Sequence, residues 1–335
     1  MIPRLRHLSA AIVVAIAATA QVGTITAAPP ATARADRPTL IVVVGAPGDD
    51  EYGEVFAEEV KQWRDTAAAA EATLHVIGDA PAASTSDKDR LLKLLGAEPR
   101  AATEPPLWLV LIGHGTFDGR TAAFNLRGPD LSPAELSTAL AEMPRPTVIV
   151  NTTAASAPFL TALSAPGRAV VTATKSGQER NYARFGRYFA RRVADPAADL
   201  DKDDQTSLFE AFLSAARDTA EFYEGEGRIA TEHPLLDDDG DGRGVRFDFF
   251  QRGRLVKRPA GEAAADGDFA RRLHLKSAAA DRSLSPDHRT TRDQLEAELA
   301  QLRLRKTTLL DAEYFIELER ILVALARLYD DANER

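Results

Sequence analysis

The side chains best suited to chemistry stand directly after buried, β-branched runs of the sequence. His114 lies between two glycines in Gly113-His114-Gly115, which lets the backbone turn sharply and present the imidazole. Hydroxyl side chains follow another such run, at Thr152, Thr153 and Ser156. An imidazole base beside a hydroxyl or thiol nucleophile is the arrangement that acyl transfer uses. The 335 residues include no cysteine, so thiol chemistry, disulfides and cysteine-ligated metal centres are excluded.

A second kind of chemistry is indicated by an acidic segment, residues 199–210, that has the spacing of an EF-hand calcium loop. Its predicted ligands, at the positions that such a loop uses, are Asp199, Asp201, Asp203, Gln205 through its carbonyl, Ser207 and Glu210. Asp204 stands where glycine usually makes the sharp turn. The loss of glycine should weaken calcium binding. Binding should not be abolished, because aspartate tolerates the left-handed conformation better than most residues. The alternative is a solvated acidic loop that caps the following helix.

Another acidic segment, residues 237–248, fits the same loop less well. Its predicted calcium ligands are Asp237, Asp239, Asp241 and Asp248. Asp248 is shorter than the usual glutamate, and Val245 offers no side-chain ligand. The alternative is a glycine-rich turn without a metal.

Alternating strands and helices must position these groups. Continuous apolar runs predict five buried strands, at 40–45, 73–78, 107–113, 147–151 and 169–174, with helical segments between them. This alternation predicts an α/β fold, a mostly parallel sheet with helices on both faces. Function in such sheets lies at the carboxyl ends of the strands, where His114 and the hydroxyls stand.

The layout of these strand ends resembles the caspase/legumain-like (clan CD) cysteine peptidases. There a His-Gly follows one strand, and a cysteine follows the next within a segment of the form Asp-Ala-Cys-x-Ser-Gly. The match covers about residues 38–195 and implies a caspase-like sandwich. It places His114 at the position of the catalytic base and the Gly115 backbone at the site that stabilises the oxyanion. The segment after the fifth strand, 172–179, would line the pocket for the substrate's P1 side chain.

The sequence departs from that family where the nucleophile should be. Ser156 aligns with the serine of the family segment, so the cysteine position holds Ala154, and a methyl group cannot attack a carbonyl. The resemblance therefore implies a pseudopeptidase that works by binding or scaffolding, with a peptide or protein in the residual cleft. The alternative is an active hydrolase that uses Ser156 or Thr153 with His114. Two plainer interpretations are that the hydroxyls cap a helix near residue 156 and that His114 is structural, as in an envelope protein without a ligand.

The N-terminal segment, residues 1–35, has the features of a secretory signal peptide. Arg4 and Arg6 precede a short apolar run, and Ala33-Arg34-Ala35 is a cleavage candidate. We therefore expect export to the periplasm or the exterior and no membrane span after cleavage, with a retained anchor as the alternative. A net charge of −9 argues against a general nucleic-acid binder.

The rest of the chain divides into an α/β domain at 36–250, a linker or extended arm at 251–288 and helices at 289–335. The leucine pattern after Thr291, with Gln294 completing a capping box, predicts a helical hairpin whose second helix Asp311 caps. A single long helix is the alternative. Such an apolar stripe must be buried against the main domain or a second copy, so self-association is an expectation.

Overall fold

A computed structural model of the chain describes residues 37–80, 84–98, 105–251, 254–255, 266–278, 281, 284–306 and 308–333. The predicted signal peptide at 1–35 lies outside these residues. Among the helices of the described ranges, none is long and apolar enough to cross a membrane.

A six-stranded sheet forms the centre of the molecule. Its strands, in spatial order, are β2 (Thr73–Ile77), β1 (Thr39–Val44), β3 (Leu107–Ile112), β6 (Thr147–Asn151), β7 (Arg168–Thr172) and β8 (Leu235–Asp237). The first five run parallel and β8 is antiparallel to β7, with Val170 opposite Asp237. Two small hairpins stand apart from it, formed by β4 (Gly115–Phe117) with β5 (Ala122–Phe124) and by β9 (Phe250–Gln251) with β10 (Arg254–Leu255).

Helices connect the strands and cover the sheet. In chain order they are α1 (Asp50–Ala69), α2 (Asp87–Ala97), α3 (Pro133–Ala139), α4 (Ala157–Leu163), α5 (Phe185–Arg192), α6 (Leu208–Gly225), α7 (Pro286–Leu304) and α8 (Asp311–Asn333). Short 3₁₀ turns occur at Pro196–Ala198, Phe247–Phe249 and Ala270–Arg272.

The two faces of the sheet carry two separate hydrophobic cores. In β3 the alternate residues Trp108 and Val110 belong to the core with α1, α5 and α6, whereas Leu109 and Leu111 belong to the core with α2 to α4. Since side chains alternate across a strand, a strand buried on both faces must be apolar at every position. This confirms the predicted fold class, a mostly parallel sheet covered by helices on both faces.

The predicted linker is not a loose connection where the structure describes it. Ala270, Leu273 and Leu275 are buried in the core beneath α6, and the Leu273 carbonyl accepts the Leu208 N–H at 2.8 Å. Local periodicity is low there because the segment packs through a few residues rather than through a regular face.

The C-terminal segment forms two packed helices rather than one, with a small core of their own around Leu302 and Ile321. The capping box expected at Thr291 and Gln294 is wrong. Helix α7 begins at Pro286, after Ser285, whose hydroxyl accepts the His288 N–H. Thr291 lies inside the helix and donates to the Asp287 carbonyl, because an N-cap serine followed by proline already fixes the start.

Candidate functional site

The carboxyl ends of β3 and β6 meet, as the sequence predicts. The two strands are parallel neighbours, with Leu111 opposite Asn151. A Cβ atom built on Gly115 would lie 2.2 Å from the Ala154 carbonyl oxygen and 2.6 Å from Thr153 Oγ1. The loop that carries His114 therefore presses directly on the loop that carries Ala154, and only glycine fits at the contact.

The His114 imidazole has a fixed orientation. Its Nε2 lies 2.9 Å from the Pro47 carbonyl oxygen. A carbonyl can only accept, so Nε2 carries the proton and Nδ1 is the basic nitrogen of the neutral ring. The rings of Tyr52, Phe56 and Tyr182 surround the imidazole at centroid distances of 4.6, 5.3 and 6.4 Å. These contacts hold the ring in one orientation, and they involve Pro47, Tyr52 and Tyr182, for which the sequence offers no signal.

The hydroxyls that could replace a thiol are engaged elsewhere. Ser156 is fully buried, and its Oγ pairs with Thr174 Oγ1 at 3.1 Å and accepts the Thr174 N–H at 3.2 Å. Thr153 Oγ1 lies 2.8 Å from Asn151 Oδ1. Thr152 Oγ1 donates to the Leu111 carbonyl at 2.8 Å. Within the described residues, no hydrogen bond joins any of these hydroxyls to His114.

The hydroxyls do not act as helix caps either. Ser156 precedes α4, which matches the expected helix position, but its side chain makes no capping hydrogen bond. The Ala157 N–H is instead accepted by Thr174 Oγ1, at 3.2 Å, from the end of β7. Ser156 thus fastens the β6 loop to the β7 loop.

The backbone after Ala154 is held in an unusual conformation. Ala154 is 5% exposed, and Ala155 has φ +52°, which a Cβ atom makes unfavourable by about 1 kcal/mol. The Ala155 N–H donates to the Glu179 carbonyl at 2.7 Å. Ala154 therefore precedes a strained residue whose backbone is hydrogen-bonded to the loop after β7.

A carboxylate–imidazole pair is formed by Glu179, in the loop after β7, and His233. His233 Nδ1 lies 2.5 Å from Glu179 Oε1, and Glu179 Oε2 accepts the Lys175 N–H at 2.9 Å. Glu179 lies in the segment that the resemblance assigns to the P1 pocket. The sequence gives no signal for a role of His233. No local spacing connects it to Glu179, because the two residues meet only in the folded chain.

Two glutamates are buried in the neighbouring elements, Glu59 against Tyr182 and Glu232 at the start of α5. Glu59 of α1 is 3% exposed; burial raises its pKa to about 8, although the hydrogen bond with the Tyr182 hydroxyl opposes this. Burial also raises the pKa of Glu232, which accepts the Arg184 and Phe185 N–H groups at the start of α5 and the Tyr223 hydroxyl. The sequence carries one signal for Glu59, since it shares a helix face with Phe56 and Trp63.

The structure gathers half of the predicted ligands of the first acidic loop. Carboxylate oxygens of Asp199, Asp201 and Asp203 lie within 4.8 Å of one another. Burial, followed by the charges of Glu210 and Asp203, raises the pKa of Asp201 to about 6. Asp204 has φ +66°, the left-handed turn expected at that position.

The other predicted ligands of this loop have different partners. Ser207 and Glu210 form the capping box of α6, and Glu210 Oε1 also accepts the Leu200 and Asp201 N–H groups. The side chain of Gln205 accepts the Ala278 N–H through Oε1, which leaves open its predicted ligand, the backbone carbonyl. The capping function that was the alternative is therefore present, and calcium at this loop stays a prediction.

The second acidic loop is rearranged relative to the linear pattern. Asp237 and Asp239 come together with Asp266, which the sequence analysis did not select. Asp248 instead pairs with Arg246 at 3.1 Å, and Asp241 accepts the Arg243 N–H at 2.7 Å. Residues 238–244 form a turn that the backbone pairing of Leu236 with Val245 closes, and calcium held by the linear ligand set at 237–248 stays a prediction.

Comparison with known proteins gives a likeness of fold. No protein-family model matches the sequence, and no curated protein is similar enough in sequence to match. Among solved structures, the chain is similar to the Drosophila initiator caspase Dronc, with 16% identity over 64% of this chain and 84% of that chain and a TM-score of 0.43. It is also similar to Caspase-1 from Spodoptera frugiperda (8% identity, 64% and 90%, TM-score 0.42) and to drICE (9%, 63% and 91%, 0.38). These structural neighbours are caspases, and likenesses at this level assign neither activity nor residues.

Proposed function

We propose that this chain is an exported pseudopeptidase of the caspase/legumain-like type, which binds a peptide or protein segment in the cleft around His114. The observation that carries the proposal is the contact between the loop of His114, whose imidazole is oriented by Pro47, and the loop of Ala154. These loops touch through Gly115, and the resemblance puts the Ala154 methyl group at the position where acyl transfer needs a nucleophile. Binding is the activity that such a site retains.

The alternative, an active hydrolase using Ser156 or Thr153, lacks support in the geometry. A serine nucleophile needs a base within hydrogen-bond reach and access to the substrate. Ser156 has neither, because it is fully buried and its hydroxyl pairs with Thr174. Thr153 is buried and points its hydroxyl at Asn151 and at the Ala154 carbonyl.

A peptidase assay with fluorogenic peptides carrying Asn, Asp, Arg or Lys at P1 tests the proposal. The wild-type chain should release no fluorophore, whereas Ala154→Cys should show weak turnover because it supplies a thiol on the loop that contacts the loop of His114. Adding His114→Ala to Ala154→Cys should remove that turnover. Ala154→Ser is the matched control, since serine has nearly the same size as cysteine but a far less acidic hydroxyl.

Robust turnover by the wild-type chain would overturn the pseudopeptidase assignment, and its loss in Ser156→Ala or Thr153→Val would establish the hydrolase instead. Binding is measured separately, by fluorescence anisotropy of the same peptides with the wild-type chain. Tyr182→Ala removes a ring that packs on His114, so it should weaken the binding of any peptide that occupies this cleft. Unchanged anisotropy at all peptide concentrations would contradict the cleft-binding part of the proposal.

Export and calcium belong to the same proposal. The Arg-bearing, apolar and small-residue order of 1–35 supports export, and the convergence of Asp199, Asp201 and Asp203 supports a cation at 199–210. An exported chain without cysteine has no disulfide to stabilise it, so a bound cation would add stability by binding only the folded state.

A further inference from the structure

Three carboxylates from two separate segments converge beside the edge strand β8. One oxygen each of Asp237, Asp239 and Asp266 lies within 4.8 Å of the others. Asp237 ends β8, Asp239 lies in the turn that follows, and Asp266 belongs to the segment that leads to the C-terminal helices. Asp237 is 0% exposed and Asp266 is 3% exposed, so these are not solvated surface acids.

Two oxygens in this group have no hydrogen-bond partner among the described residues. The Oδ1 atoms are satisfied, since Asp237 Oδ1 accepts the Gly240 N–H at 3.2 Å and Asp266 Oδ1 accepts the Asp238 N–H at 3.0 Å. The Oδ2 atoms of Asp237 and Asp266 are buried and unpaired. Buried polar atoms are almost always paired, so two unpaired carboxylate oxygens in one cluster point to a ligand that supplies positive charge.

The electrostatics of the cluster agree with the geometry. Burial, together with the charges of Asp238, Asp239 and Asp237, raises the pKa of Asp266. Burial also raises the pKa of Asp237. The acidic group closest in sequence, Asp238, is used differently, because its carboxylate accepts the Gly267 and Ala270 N–H groups at 2.7 and 2.6 Å. Asp238 is thus the positioning residue that holds Asp266 in the cluster.

We propose that Asp237, Asp239 and Asp266 bind one calcium ion that joins the edge of the sheet to the segment at 266–270. The donors are all carboxylate oxygens, which suit a hard cation and not zinc. Three evenly spaced oxygens 4.8 Å apart lie about 2.8 Å from their common centre, so the cluster would contract slightly around Ca²⁺ at about 2.4 Å and further around Mg²⁺ at about 2.1 Å. Carbonyls and water would complete the coordination, as calcium sites allow.

The proposed ion would act as a clamp for the C-terminal part of the chain. The chain after Asp266 includes Leu273, whose carbonyl accepts the Leu208 N–H at the start of α6. It also includes Asp281, whose carboxylate accepts hydrogen bonds from Arg292 of α7 and Tyr329 of α8. A cation at Asp266 therefore stabilises the route by which the helical hairpin is attached. This site is independent of the peptidase-like cleft, and it does not depend on calcium at 199–210.

Isothermal titration calorimetry and thermal unfolding of the full chain, with Ca²⁺ after removal of metal by EDTA, test the site. The background variant is Asp201→Asn, which removes a predicted ligand of the other acidic loop; among the described residues the Asp201 side chain accepts no hydrogen bond that the change would break. In that background, Asp266→Asn should weaken calcium binding by at least about tenfold and abolish the calcium-induced rise in Tm. Its Tm in EDTA should equal or exceed that of the background, because a neutral amide removes the repulsion among the carboxylates.

Asp248→Asn is the matched control, since Asp248 would be a ligand only if residues 237–248 wrapped as a linear loop. It should leave the calcium affinity unchanged within about twofold. The proposal is overturned if the background binds no Ca²⁺ up to about 10 mM, if Asp266→Asn binds as tightly as the background, or if Asp248→Asn loses affinity like Asp266→Asn. None of these results alters the outcome of the peptidase assay, so the two proposals fail separately.

Discussion

The buried carboxyl of Glu59 should make the stability of this protein fall as the pH rises. Its pKa is raised from 4.5 to about 8 in the folded chain, chiefly by burial, although a hydrogen bond with Tyr182 lowers it. A group whose folded pKa is raised stabilises the fold fully below pH 4.5, and that stabilisation is lost as the pH approaches 8. A difference of about 3.5 pKa units corresponds to a loss on the order of 5 kcal/mol in the free energy of unfolding.

Glu59→Gln isolates this effect, because glutamine has the same shape and no charge at any pH. Urea unfolding followed by circular dichroism at a series of pH values gives the difference in unfolding free energy between variant and wild type. At pH 4.5 the difference should be within about 1 kcal/mol, and it should grow in favour of the variant up to pH 8. Glu58→Gln, at the exposed neighbouring position, should track the wild type within about 0.5 kcal/mol throughout. A difference between Glu59→Gln and wild type that stays constant with pH would refute the reasoning.

Three further outcomes follow from the same observations. Mass spectrometry of the protein from its native host should find a chain that begins near Asp36, and an intact Met1 start would contradict export. Millimolar Ca²⁺ should raise the Tm by a few degrees more than Mg²⁺ does, and Asp201→Asn should reduce that rise; equal effects of the two ions would argue against calcium at 199–210. Arg145→Met should lower the free energy of unfolding, measured by urea unfolding, by about 3–5 kcal/mol, because Arg145 and Glu98 form a buried ion pair at 2.9 Å. A change below about 1 kcal/mol would show that the fold does not need the pair.

The sequence alone was sufficient for most of the sheet. Strands buried on both faces must be continuous apolar runs, which located β1, β3, β6 and β7; β2 was also located, but it is an edge strand that is mostly half-buried rather than buried as expected, and β8 escaped because Leu235–Asp237 is too short to give a pattern. The carboxyl ends of neighbouring parallel strands share one edge, so the contact between the loops of His114 and Ala154 followed from chain order. The absence of a thiol nucleophile was fixed by composition, since the chain contains no cysteine.

The tertiary structure decided which polar groups are free to act. The decisive contacts join residues that lie far apart in the chain. They are Ser156 with Thr174, Glu179 with His233, and Asp238 with the turn at 266–270. A local motif records spacing but not the partner that arrives from another segment, so Asp241 and Asp248 fitted the calcium pattern while Asp266, outside any pattern, completes the carboxylate cluster. The physical reason is that a buried oxygen binds whichever donor the packing brings within about 3 Å, and packing depends on the whole chain rather than on residues that are neighbours in sequence.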